Sequence, residues 1–227
     1  MDLIKGNNFG RYLTYVLGEI CLVVVGILIA LQFNNINLAE QDREIELQYY
    51  QTMKDQLTED RALLEKEITE IMLRSQQYST GKGIIKTNDR ARLDEFGQAI
   101  LALITYGDFR RMSTVYRTLI YSGEIKYILN KKIIEHLQDI ERSYEITERL
   151  EAIQAQLVLS HSALAILGVV DFESGKILSS ESVFTQTFAN RFSAAENIID
   201  EKSGHFNEAI NIIDSALKEI ESELDAK

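Results

Sequence analysis

YLTYVLGEICLVVVGILIALQF, residues 12–33, decides how the rest of the chain is read. From Ile20 to Leu31 no polar side chain interrupts it. About 22 helical residues rise roughly 33 Å, enough to cross the hydrocarbon core of a bilayer. One residue breaks the pattern. Glu19 lies inside the apolar span, where an ionisable group is costly and needs a reason to be there. At about 100° per residue, Glu19, Gly26 and Ala30 fall within roughly 40° of one another on a helix. Gly26-x-x-x-Ala30 is a small-xxx-small pair, the spacing that lets membrane helices approach closely. The acid and the small residues therefore share one stripe. The reading is a helix–helix interface, with Glu19 inside it as a neutral contact or as an ion or proton site.

The run is longer than the about 7–15 apolar residues of a secretory signal, and no small-x-small cleavage site comes after it. It reads as an uncleaved anchor, with Tyr12 and Tyr15 at belt positions. Lys5 and Arg11 precede it, while Glu40, Asp42, Glu44 and Glu46 come after it with only Arg43 against them. The positive-inside rule then puts residues 1–11 in the cytoplasm as a short tail or interfacial turn. Residues 12–33 cross the membrane. Residues 34–227 stand on the far side, which is the periplasm in a double-membrane bacterium.

That far body reads as all-α. The chain of 227 residues has no proline and only 12 glycines, which leaves few forced breaks in long helices. The net charge is −11, and none of the excess lies before Asn34. An acidic body repels phosphate backbones, so nucleic acid is not an expected partner. Cys21 is the only cysteine, so no disulfide forms within one chain and the body has no thiol chemistry.

Beyond Asn34, Asn35 and Asn37 the pattern is helical to about Tyr78, either continuing the membrane helix as a stalk or bending at the asparagines. Tyr50, Met53, Leu57, Leu64, Ile68, Ile71 and Tyr78 recur by threes and fours, with Asp60 and Ser75 at positions where apolar residues are expected. Ser79–Asp89 reads as a loop. The next helix spans about 90–106, capped by Asn88 or Asp89, with Leu93, Phe96, Ile100, Leu103 and Ile104 inward. Ser113–Leu129 reads as two short pieces. Ser113 caps the first and Gly123 ends it, with Tyr116, Leu119 and Ile120 inward. Asn130 caps a long helix to about Leu167 whose apolar face includes Ile153, Leu164 and Leu167. Residues 168–182 are a loop. A last helix runs over about 183–224, with Ser203-Gly204 the one place where a break fits. Phe206, Ile210, Ile213, Leu217, Ile220 and Leu224 form a heptad stripe for packing on a helix of this chain or of a second copy.

Catalytic and metal-binding patterns are missing. Thr80-Gly81-Lys82-Gly83 lacks the spacing and preceding strand of a phosphate loop. Asp171-x-Glu173-x-Gly175 lacks the length and closing glutamate of a calcium loop. His136, His161 and His205 have no second histidine at ligand spacing, and His161 lies near an apolar helix face as a core histidine does. No G-x-S-x-G occurs. No cofactor, metal or catalytic residue is expected. Two functions remain: a homo-oligomeric membrane scaffold that docks other membrane or periplasmic proteins, or an ion- or proton-conducting or motor-associated assembly working through Glu19.

Gly10–Ile20, GRYLTYVLGEI, continuing to VGILIALQFNNIN, resembles a family of single-pass membrane proteins of Bacteroidota. A second stretch, Tyr116-x-x-Leu119-x-x-Ser122-Gly123-x-Ile125-x-x-Ile128, is similar to that family's tyrosine–leucine–serine–glycine segment. The chain departs at Phe33 and Ile36, where the family has an aliphatic residue and often tryptophan. The resemblance implies one anchor and a helical extracytoplasmic domain, and it implies no particular activity. It includes Glu19 in the family's pattern.

Overall fold

The computed structural model describes residues 6–226 apart from residue 108, with the side chains of residues 6–12, 14 and 161 also outside the description. Lys5 lies outside the described residues, and the side chains of Arg11, Tyr12 and His161 lie outside the described side chains. The protein is all-α. Its elements are α1 (Gly6–Thr87), α2 (Leu93–Ala102), α3 (Val115–Ser122), a 3-10 turn (Glu124–Tyr127), α4 (Lys131–Leu157), a π turn (Val158–Ser162), α5 (Ala163–Ile166), α6 (Ser180–Val183) and α7 (Gln186–Asp225). The only strand-like pairing among the described residues is one antiparallel bridge, Val170 with Ile177. The chain forms two compact units, Met1–Gln48 and Tyr49–Lys227.

The first unit is helical from Gly6, so residues 6–11 are helix rather than a tail or turn. Gly6 and Gly10 are tolerated in a helix at a cost of only about 1 kcal/mol each. Among the described residues α1 is the one helix long and apolar enough to cross a membrane. Every side chain from Leu17 to Leu38 is exposed.

The second unit has the core. Tyr50, Met53, Leu57, Leu64, Ile68, Ile71 and Tyr78 are all buried, as their spacing requires. Asp60 is also buried, and near Ser75 it is Arg74 that turns inward. Ser79–Asp89 is not a loop: α1 stays helical to Thr87. Its glycine serves close packing instead of a turn. A Cβ on Gly81 would lie 2.5 Å from Cζ of Phe192 on α7, so the glycine lets that ring approach the backbone. Ser79 Oγ donates to Glu196 at 3.1 Å and Lys82 pairs with the same carboxylate, holding this turn to α7. The helix ends on Asn88, whose φ of 48° is left-handed.

α2 is shorter than its sequence pattern and lacks a side-chain cap. Asp89 accepts from Ala91 N at 3.1 Å and so shapes the turn before it. Gly97 meets the 168–178 loop backbone to backbone: a Cβ there would fall 1.8 Å from Gly175 O. Ser113 caps nothing; Thr114 precedes α3, again without a side-chain cap. Gly123 does end α3, with φ 75°. Ile120 points out, leaving Val115 and Leu119 as the buried face of α3.

Asn130 caps α4 as its position predicts, accepting from Lys132 N and Ile133 N at 3.0 and 3.4 Å. The pattern then departs from the sequence reading. A π turn over Val158–Ser162 inserts an extra residue and rotates the helical face beyond it. Before that turn Gln154 is already buried in place of Ile153, which is exposed, and across it Val158, Ser162 and Ile166 are buried while Leu164 and Leu167 are exposed. α7 runs unbroken through Ser203-Gly204. It packs on α4 of the same chain. Phe206, Ile213 and Ile220 are buried, but Ala209 and Ala216 are more deeply buried than Ile210 and Leu217. Small residues in that slot let the two helices come close.

Candidate functional site

Two regions have ionisable groups in unusual settings. In the first unit, Glu19, Gly26 and Ala30 are all exposed on the apolar stretch of α1. No atom lies within 4 Å of a Cβ built on Gly26. Val16, Glu19, Ile20, Val23 and Val24 line a shallow groove of about 210 Å³. Cys21 is exposed on the same helix. The stripe is therefore open to a partner along its length, and its one hydrogen-bonding side chain is Glu19.

In the second unit the polar centre is the segment between α2 and α3, irregular over 105–107 and 109–114. An irregular backbone lacks the internal hydrogen bonds of a helix, so its amides need partners. Side chains of the long helices supply them. Glu151 of α4 accepts from Phe109 N at 2.8 Å. Asp60 of α1 accepts from Met112 N at 2.5 Å, from Ser113 N at 3.2 Å, and from the Tyr144 hydroxyl at 2.7 Å. Gln56 accepts from Thr114 N and Val115 N at 2.9 and 3.2 Å. Lys202 of α7 is 1% exposed, donates to Gly107 O at 3.2 Å and pairs with Glu151 at 2.6 Å. Burial and the Asp60 carboxylate beside it raise the Tyr144 phenol far above its ordinary range.

The sequence pattern marks Asp60 as out of place but gives it no role. Lys202 escapes that reading, although a lysine in phase with Phe206 and Ile213 is the available signal. Around this centre a cavity of about 610 Å³ is lined by Tyr106, Phe109, Arg111, Tyr144, Glu148 and Glu151. Its most buried charges already have partners: Arg111 pairs with Glu141 and Glu148 at 2.7 and 3.2 Å, and Glu151 is held by Lys202 and Phe109 N. The cavity is thus the outer face of a structural network.

Among the described residues, no group of three histidine, cysteine, aspartate or glutamate side chains is placed to hold a metal. Asp171 is a turn maker: its Oδ1 accepts from Glu173 N, Ser174 N and Ser174 Oγ at 3.1, 2.7 and 2.8 Å. Those bonds from Ser174 hold its carboxyl below the usual range. Lys82, in the glycine-flanked stretch, is engaged with Glu196. His205 faces Glu208 at 3.4 Å, one turn along α7. No protein-family model, curated protein or solved structure matches this chain.

Proposed function

We propose that this protein is a membrane-anchored, homo-oligomeric scaffold. α1 crosses the inner membrane with its N-terminus in the cytoplasm, and the helical body stands in the periplasm as a surface for assembly or docking. The observation that carries this reading is the exposed stripe of Glu19, Gly26 and Ala30 on an otherwise apolar helix. Lipid gives a carboxyl no hydrogen-bond partner, whereas a second copy of the same helix does. The glycine and alanine lower the steric cost of that approach. The resemblance of Gly10–Ile20 to the Bacteroidota single-pass family supports the same topology.

A second reading uses the same residue. In a ring of chains Glu19 would line a hydrated path and exchange protons or cations. The observation favouring it is that Glu19 is the one ionisable side chain between Tyr15 and Phe33 that is not a thiol or a phenol. Two substitutions separate the readings. Glu19→Gln keeps the size and the hydrogen bonding but cannot ionise, and Glu19→Leu removes both. The scaffold reading expects Gln to preserve assembly and Leu to weaken it, with no flux in reconstituted vesicles. A proton or cation flux that Gln abolishes while assembly survives would replace the scaffold reading with the conducting one.

A further inference from the structure

Beneath the segment between α2 and α3 lies a cluster of charges that are unevenly served, of which Arg74 and Lys202 are buried and Glu67 and Glu151 are largely covered. Glu67, Glu70 and Arg74 come from α1, Glu151 from α4 and Lys202 from α7. Lys202 and Glu151 satisfy each other at 2.6 Å. That leaves Arg74, with 8% of its side chain exposed, for two carboxylates: Glu70 at 3.6 Å and Glu67 at 4.0 Å. Glu70 is open to solvent, with 41% of its side chain exposed, so the strain of the cluster falls on Glu67. The cluster's poorest-served member is Glu67, whose Oε2 is buried without a hydrogen-bond partner, as is Nε of Arg74. Tyr78, the other titratable group facing Arg74, is pushed by burial up to about 12 and stays neutral at ordinary pH.

The segment between α2 and α3 rests directly on this unsatisfied oxygen. A Cβ built on Gly107 would lie 2.3 Å from Glu67 Oε2 and 3.2 Å from Nη2 of Arg74. A side chain at this position would push the Glu67 carboxyl aside, so glycine is what lets the segment seat on it as it stands. Seating the segment shields Oε2 of Glu67 from water and leaves that oxygen without a hydrogen-bond donor, which disfavours a charged oxygen and suits a protonated one.

We propose that Glu67 is a proton-operated latch: protonated, it lets the segment between α2 and α3 seat on α1, and ionised, it loosens that seat. The direction agrees with the burial that raises the Glu67 carboxyl above its ordinary 4.5, reinforced by Glu70 and opposed by Lys202 and Arg74. An acid held above its ordinary value binds its proton more tightly in the seated state. Seating is therefore favoured at low pH and lost as pH rises from about 4.5 through the raised value. The device belongs to the second unit and does not depend on which side of a membrane that unit occupies.

Hydrogen exchange on the full chain in detergent, from pH 4.5 to 8 and corrected for intrinsic rates, tests it. Amides of 105–107 and 109–114 should lose protection as pH rises, by up to tenfold for each pH unit across the window. Amides of α7 near Ile213 and Ile220 should keep theirs. Glu67→Gln should give high, pH-independent protection in the segment. Glu70→Gln removes the like charge and should move the wild-type midpoint to lower pH. A Glu67→Gln profile that tracks the wild type, or a midpoint that Glu70→Gln leaves in place, overturns the latch.

Discussion

Tyr144 on α4 donates its hydroxyl to Oδ2 of Asp60 on α1 across 2.7 Å, and the same carboxylate takes Met112 N and Ser113 N. One buried acid thus joins two helices to the irregular segment. Removing it strands the buried Tyr144 hydroxyl and two part-buried amides. Asp60→Leu should cost about 3–5 kcal/mol, since it leaves two amides and a phenol unpaired. Tyr144→Phe leaves both amides bonded and should cost about 1–2 kcal/mol. Chemical denaturation of the two variants checks the order. Equal losses would mean that the carboxylate is not the shared acceptor.

Two glycines on α1 should respond in opposite directions. Gly81 lies against the Phe192 ring, and Gly83 has no atom within 4 Å of a built Cβ. Gly81→Ala pushes α7 away from α1 and should destabilise by about 1–3 kcal/mol. Gly83→Ala only gains helix propensity and should stabilise by up to about 1 kcal/mol. Thermal melts of the pair decide it.

That contrast shows how far the fold is legible in the residues. The buried face from Tyr50 to Tyr78 is readable because apolar periodicity and burial have the same cause. The end of α1 is not. Glycine marks both turns and close helix contacts, and Ser79–Asp89 reads alike in either case until Phe192 is seen against Gly81. The π turn at Val158–Ser162 is equally hidden, since one inserted residue shifts the face with no compositional signal, and an unbroken helical phase places Leu164 and Leu167 inward. Asp60 stands out as a break in pattern, but its partners come from two distant stretches. The stripe of Glu19, Gly26 and Ala30 is legible because it needs only the period of a helix.

Orientation is tested by protease added to intact spheroplasts. The proposed topology expects the body beyond the apolar run to be digested from outside. Protection until lysis would reverse the orientation while leaving the anchor.

The central claim is that the Glu19, Gly26 and Ala30 stripe joins copies of this chain, and the mass of the full protein in mild detergent or lipid nanodiscs tests it most directly. The account predicts more than one chain per particle at micromolar concentration, and a lower mass for Gly26→Leu, whose larger side chain forces the helices apart. A wild-type particle holding a single chain would contradict it.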